Sequence, residues 1–539
     1  MKICLVRPPL QVPRYQLAIY ELPPIGLAYL AAVSREAGHE VSVIDALGEA
    51  PHNPLPGYLP HLVGRGLSFE EIFARVPPDT EVMGVSCMFS QDWPYLRTLI
   101  NEFRKQFPEI IIVAGGEHVT ALAELVVQES AVDFAVCGEG EETLLELLGA
   151  LDAGQEPSDV AGVVFQRSGE IVRTPTRARI KAINGLMRPA WDLFPVENYL
   201  NDCNSFGVDR GRCMPILATR GCPYQCTFCS SPSMWTTRWL ARDPAEVVAE
   251  IRWLIEDYGV ENVDFYDLTF IIKRDWILEF CGLIKESGLR FTYQLPTGTR
   301  AEAIDAKVAE ALYETGCRNI TYAPESGSPS ELRRIKKKIT IPSMLASMKA
   351  GYQSGLLVKA NIVLGFPGET RRENLQTMGF IARMALVGVR DVIIFLFSPY
   401  PGSELHRELV DAGRLPEPSD EYFEMLSSTV DLSRAHSFCD LSVRELTAWR
   451  IGGLLLFYAL SFGVRPWRLI QTAYHLIRGE KESVLEERLL GLMNEVETAN
   501  KAKLSVDETP EPSFSRAMPD SNSRPASSYD SASQDRPGS

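Results

Sequence analysis

Three cysteines in the segment Thr219-Arg220-Gly221-Cys222-Pro223-Tyr224-Gln225-Cys226-Thr227-Phe228-Cys229 constrain this chain more than any other feature. Their C-x3-C-x2-C spacing closely follows the apolar run Ile216-Leu217-Ala218, which sets three thiols on one tight loop just past a strand. Thiolates gathered this way suit a soft iron site. A cube of four irons held by three cysteines leaves one iron free to chelate something else. The alternatives are three unrelated thiols, or a zinc site short of its fourth ligand, and no C-x-x-C pair lies downstream to complete the latter.

The loop sits at the head of a repeating pattern. Six apolar runs, Ile216–Thr219, Val263–Tyr266, Phe291–Gln294, Ile320–Ala323, Lys359–Leu364 and Val392–Phe397, alternate with helical stretches. The first of those stretches is well marked. Asp243 can cap it, Pro244 suits its first turn, and Val247, Val248, Ile251 and Leu254 form an apolar stripe. Six such units predict a partial (β/α)6 barrel over residues 212–410, with its active site at the carboxyl ends of the strands.

The motif, with aromatic Phe228 before its third cysteine, resembles the signature of the radical S-adenosylmethionine (SAM) superfamily. The resemblance implies a [4Fe-4S] cluster on Cys222, Cys226 and Cys229. SAM would bind the open iron and be cleaved to a 5'-deoxyadenosyl radical, the hard chemistry residing in the cofactor. It also implies SAM contacts after successive strands: Asp267 for the amino group, Arg300 for the carboxylate, Glu325 for the ribose hydroxyls, and the loops at Gly365 and Ser398 around the adenine. No further catalytic side chain is nominated. An external electron donor such as flavodoxin or ferredoxin is expected.

Residues 1–150 show the same alternation. The runs Ile3–Val6, Val41–Asp45, Val82–Ser86, Ile110–Ala114 and Phe134–Val136 are separated by helices near Gly26–Ala37, Pro94–Gln106 and Ala121–Glu129. This predicts a doubly wound, Rossmann-like parallel sheet whose ligand lies at the carboxyl ends of its strands. Glycines cluster there, in Gly115-Gly116 and in Gly138-Glu139-Gly140-Glu141, and such turns let a ligand approach the backbone. Together with Pro23-Pro24-Ile25-Gly26-Leu27-Ala28-Tyr29-Leu30, these segments look like the cobalamin-binding domain found ahead of some radical SAM barrels.

That resemblance implies that Ser86, Gly115 and Gly116 line the cofactor's nucleotide tail, with Gly138 and Glu139 nearby. The Asp-x-His-x-x-Gly motif that supplies a histidine to cobalt is missing. His39, His52, His61 and His118 read as surface or turn residues, with His52, His61 and Arg65 in a long loop. Cobalamin without its own base and without a ligated histidine is therefore expected.

Residues 151–211 read as a connector with a hairpin around Ser168-Gly169, and Cys203 and Cys213 as structural thiols. Residues 411–505 read as a helical region. Its apolar run Ile451–Leu460 is too short to span a bilayer, which takes roughly 18 or more residues. A helix over the barrel mouth is expected there, with peripheral membrane contact the less favoured alternative. Residues 506–539, rich in Ser, Pro, Asp and Arg, read as a disordered tail.

The net charge of −16 argues against nucleic acid, including a tRNA substrate, since phosphate contacts need clustered cations. Eleven cysteines without an even framework fit a reducing compartment, and the start of the chain lacks signal-peptide regions, so a cytoplasmic location is expected. The resulting expectation is a cobalamin-dependent radical SAM methyltransferase acting on an unactivated carbon of a small-molecule or lipid-like substrate. The alternatives are a rearrangement or cyclisation with the same cofactors, or a non-catalytic cobalamin or iron–sulfur sensor.

Overall fold

The computed structural model describes residues 1–14, 22–181, 183–202, 207–426 and 435–493. Cys203 and the tail from 506 lie outside the described residues. Residues up to Gly491 form one compact unit.

The first half is built on β1 (Lys2–Arg7), β2 (Leu10–Pro13), β3 (Glu40–Asp45), β4 (Pro54–Pro56), β5 (Leu62–Arg65), β6 (Val82–Ser86), β7 (Ile111–Gly115), β8 (Phe134–Val136), β9 (Val163–Arg167) and β10 (Glu170–Arg173). Its main sheet runs β10-β9-β8-β7-β6-β1-β3. Strands β3, β1, β6, β7 and β8 are parallel, and β9 and β10 are antiparallel additions. The chain passes from β1 to β3 on one side and then to β6 on the other. The crevice at the carboxyl ends of β1 and β6 is thus a topological switch point.

Two features differ from the sequence reading. The hairpin β9–β10 turns on Ser168 and Gly169, both at positive φ, and extends this sheet through β8. The segment holding His52, His61 and Arg65 is not only a loop: β5 pairs with β2 on one side and β4 on the other in a small antiparallel sheet. Strand β2 is short and offers no marked alternation, which hid it.

The second half carries β11 (Cys213–Ile216), β12 (Thr219–Arg220), β13 (Leu240–Ala241), β14 (Asn262–Phe265), β15 (Thr292–Thr299), β16 (Cys317–Glu325), β17 (Leu357–Leu364) and β18 (Asp391–Leu396). Six of them form a parallel sheet in sequential order, β11-β14-β15-β16-β17-β18, the open barrel expected. Asp243 does cap helix Pro244–Tyr258, accepting from the Ala245 N–H, and Gly259 ends that helix at φ 63°. On β17, Val358, Ala360, Ile362 and Leu364 are buried while the alternate residues are only partly so, as for a strand with helices behind it and a cavity in front.

Helix Val443–Val464 overturns two expectations. It is 22 residues long, and by length and composition alone it is apolar enough to cross a bilayer. Only its first turn reaches the carboxyl end of the strands; the rest runs down the barrel's flank. It packs along helix Arg371–Val387 and the edge strand β18, from Leu446 beside Gly365 to Tyr458, which donates to Asp391 at 3.1 Å. The edge strand leaves a row of unpaired backbone groups, and this helix shields it.

Candidate active site at the cysteine loop

The loop from Cys222 to Cys229 lies between β12, which pairs with β13, and helix Ser231–Trp235. Several elements pin it. The Thr227 N–H bonds to the Ile335 carbonyl at 3.1 Å, and the Thr227 carbonyl accepts from Leu405 at 2.8 Å. The Arg300 guanidinium stacks on the Tyr224 ring, 3.5 Å from its centroid, and Phe228 packs on Phe366. Gly221 sits at φ 84°, which an L side chain resists. The three thiols are half-buried and free of disulfides. Burial pushes the Cys229 thiol up to about 12.

Asp267 is fully buried at the end of β14. Its carboxylate accepts from the backbone N–H groups of Ala218 and Thr219, which fixes the strand leading into the loop. Burial pushes its pKa up to about 7. Next to it, the Thr269 hydroxyl donates to Cys222 Sγ at 3.4 Å. Asp267 therefore spends both oxygens on loop geometry, a use that the reading as a SAM contact did not foresee.

Glu325 ends β16 at φ 64°, a left-handed conformation rare for a residue with a side chain. Its carboxylate pairs with Lys337 Nζ at 2.9 Å. Burial opposes the charge on Lys337, but Glu325 more than offsets this and holds the lysine pKa above its usual value. Lys337 Nζ is also 5.9 Å from the Phe228 ring. Sequence reasoning missed this lysine. In the run Lys336-Lys337-Lys338 it looks like a solvated patch, and only the fold turns Lys337 inward while Lys336 pairs with Glu404 near the surface.

Arg300 donates to Glu302 and to the Lys338 carbonyl, and its buried Nε has no partner. Gly365 lies at φ 90°, and its N–H bonds to the Glu369 carboxylate. Burial pushes Glu369 up to about 8. Ser398 is buried after β18.

In the first sheet, Ser86 closes β6 beside Gly115, and the Cys87 N–H bonds to the Gly115 carbonyl at 2.7 Å. The two glycines differ. Gly116 is at φ 126°, where a Cβ would overlap the Cys87 carbonyl, so the turn itself requires it. A Cβ at Gly115 would just touch Val136, 3.9 Å away, whereas Gly138, whose N–H bonds to Thr120, faces open space. His118 is not the surface residue the sequence suggested. It is buried, its Nδ1 lies 3.0 Å from Ser90 Oγ, and it packs against Trp93 and Phe423. Burial lowers its pKa to about 3, so the ring is neutral.

Glu139, expected beside the nucleotide tail, is engaged in buried ion pairs. Its buried carboxylate meets Arg179 at 2.7 Å and Arg220 at 3.5 Å. Arg220 also donates to Glu141 at 2.6 Å and lies over the Tyr29 ring. The residue two before Cys222 is thus held by the Gly-Glu-Gly-Glu segment and by the helix Ile25–Glu36. The motif read as a ligand loop joins the two halves at the cysteine loop.

These residues fit the implied groups. Three half-buried, unbridged thiols on one pinned loop are the soft donors that a [4Fe-4S] cube takes. Buried polar atoms without partners, Arg300 Nε and Asn361 Oδ1, mark the barrel as made for a polar ligand. Met88 and Phe89 are exposed just past the end of β6, an apolar surface that suits a flat macrocycle.

Two family models match the chain: the B12 binding domain over residues 18–148 and the Radical SAM superfamily over residues 216–381. An uncharacterised methyltransferase of Pyrococcus horikoshii is 29% identical over 477 residues, covering 88% of this chain and 95% of the relative. An anaerobic magnesium-protoporphyrin IX monomethyl ester cyclase of Synechocystis is 27% identical, covering 70% of this chain and 72% of the relative. For the hopanoid C-3 methylase of Methylococcus capsulatus the values are 23%, 75% and 72%. In fold, the chain is similar to the radical SAM methyltransferase TsrM from Kitasatospora setae, solved with cobalamin and a [4Fe-4S] cluster bound. The TM-score is 0.60 at 20% identity, over 76% of this chain and 75% of that one. With a B12-binding sheet and a radical SAM barrel in one polypeptide, this chain belongs to the cobalamin-dependent radical SAM enzymes, whose cofactors are a [4Fe-4S] cluster, SAM and cobalamin.

Proposed function

We propose that the chain methylates an unactivated carbon of a small, lipid-like molecule. One observation carries this reading: Arg220, beside the cysteine loop, is buried against Glu139 and Glu141 from the end of the B12-binding sheet, which brings the two cofactor-holding regions to one place. When bound, the cluster and SAM supply the hydrogen-abstracting radical, and cobalamin supplies the methyl group. The relatives named as methyltransferases support methyl transfer, and the hopanoid methylase supports an apolar substrate.

In this reading Cys222, Cys226 and Cys229 hold the cluster. Arg300 and Lys337 supply positive charge for the SAM carboxylate, Glu325 takes the ribose hydroxyls, and Gly365 and Ser398 border the adenine. Asp267 keeps the cysteine loop in register. Ser86, Gly115, Gly116 and Gly138 leave room for the cobalamin tail. An external one-electron donor of the flavodoxin or ferredoxin kind reduces the cluster.

Turnover with methyl-labelled SAM, cobalamin and a strong reductant is the test. Methylation predicts 5'-deoxyadenosine and S-adenosylhomocysteine in roughly equal amounts, with label in the product. 5'-Deoxyadenosine and a product without S-adenosylhomocysteine would replace methylation by a rearrangement or cyclisation, in line with the cyclase relative. Bound SAM that is never cleaved would leave a sensor.

The ribose assignment has its own check. Glu325→Ala should weaken SAM binding by about 1–3 kcal/mol, the loss expected for hydrogen bonds to a charged group, with iron content unchanged. Unaltered SAM affinity by calorimetry would remove Glu325 from the site.

A further inference from the structure

Helix Trp467–Arg478, together with Arg465 that joins it to helix Val443–Val464, is built inside out. The side packed on the barrel takes the charged groups. Arg465 donates to the carbonyls of Ala385 and Leu386 and to the Tyr352 hydroxyl. Arg468 donates to the carbonyls of Gly388 and Val389 at 2.7 and 2.9 Å and to Ser461. Both arginines thus satisfy carbonyls at the end of helix Arg371–Val387. Thr472 and His475 reach Glu486 on the same side.

The outer side is apolar. Ile451, Leu455, Trp467, Ile470, Tyr474 and Ile477 are all exposed, Ile470 by 73% and Ile477 by 86%. Between Ile451 and Ile477 no charged side chain is exposed, and Gln471 is the exposed non-aromatic polar residue. Trp467, Ile470, Tyr474 and Ile477 follow helical spacing, so they form one stripe. A helix on the surface of a soluble domain shows the reverse arrangement, apolar inward and charged outward.

We propose that this face rests on a lipid bilayer, with both helices lying in the interface plane. An uncharged face of this length matches the hydrocarbon boundary. Trp467 and Tyr474 suit the headgroup level, and the exposed cations at its two ends, Arg444 and Arg478, the latter 3.6 Å from Glu480 in an exposed pair that a phosphate can replace, complement lipid phosphates. Spanning is disfavoured by the contacts on the other side: Gly453, Phe457 and Ser461 are buried against the barrel, and Tyr458 is bonded to Asp391. The remaining chain is a poor cover. From Asn494 to the end it offers Val496, Leu504, Val506, Phe514, Met518 and Tyr529 as its large apolar residues, too sparse for a stripe of this kind. The proposal does not depend on which reaction the barrel performs.

The test is flotation of the full-length, anaerobically reconstituted protein with vesicles of phosphatidylcholine alone and of equal parts phosphatidylcholine and phosphatidylglycerol. The wild type should float with at least one of them. The variant carrying Ile470→Glu and Ile477→Glu should lose at least about tenfold in partitioning, because two charges enter the buried face. Its iron, cobalamin content and thermal unfolding should stay those of wild type, since both side chains are solvent-exposed. Quenching of wild-type tryptophan fluorescence by brominated lipid, lost in Trp467→Phe, checks the contact without relying on that double variant. Failure of the wild type to float with either vesicle would overturn the proposal. So would flotation unchanged in the double variant, or a wild-type dimer that does not float and that the double variant splits, which would assign the face to a second copy of the chain.

Discussion

Replacing Cys222, Cys226 and Cys229 together by Ala is expected to abolish the iron–sulfur chromophore and all 5'-deoxyadenosine formation. Wild-type protein, reconstituted with iron and sulfide, should hold about one [4Fe-4S] cluster per chain. The three thiols are the half-buried, unbridged donors on one pinned loop, and no other cysteine shares that loop. Removing them leaves the cluster without protein ligands and SAM without an iron to bind. Because the loop is fixed by backbone bonds at Thr227 and by Asp267, the alanine variant should keep its fold and its cobalamin. Cys439→Ala, a half-buried thiol elsewhere, is the control and should retain both cluster and activity. A full complement of iron and sulfide in the triple variant would end the assignment.

Arg220→Met should destabilise the protein by about 3–5 kcal/mol, the cost of stranding a buried carboxylate after its partner is removed. Glu139 keeps Arg179, but Glu141 loses its 2.6 Å partner. The loss should fall at the junction between the sheet and the barrel, so the variant should also cleave SAM with less methyl transfer per 5'-deoxyadenosine formed. Adding Glu141→Gln to Arg220→Met should recover part of the stability, since the uncompensated charge is gone, and the double-mutant cycle measures the coupling. Thermal or denaturant unfolding checks the first claim and product ratios the second. A variant as stable as wild type, with an unchanged ratio, would show that the clamp does no more than fill space.

Much of this was legible in the sequence because it rests on local patterns. A strand buried on both faces is a short apolar run, and a helix carries a stripe at its own period, so β6 and β8 begin and end where the runs Val82–Ser86 and Phe134–Val136 do. The cysteine spacing is local too, and so is the strand before it. Strand β2 was not legible, since its four residues have meaning only through their pairing with β5. The apolar reach of helix Val443–Val464 was missed because the uninterrupted run Ile451–Leu460 stops at Arg450 and Ser461, although single polar residues neither end a helix nor cancel its apolar character.

The sequence by itself determined two α/β units in order, a three-thiol loop at the head of the second, and glycine turns at the strand ends of the first. Tertiary structure alone decided what the charged residues do. Glu139 and Arg220 are 81 positions apart, and Arg468 meets carbonyls about 80 positions earlier. A carboxylate or guanidinium takes whichever partner the fold brings within a few ångströms, and burial then makes that pairing obligatory. The same holds for Lys337, turned inward from a run of three lysines, and for the inside-out helix: a periodic stripe specifies that a face is apolar, but which side meets the barrel is set by what the barrel offers it.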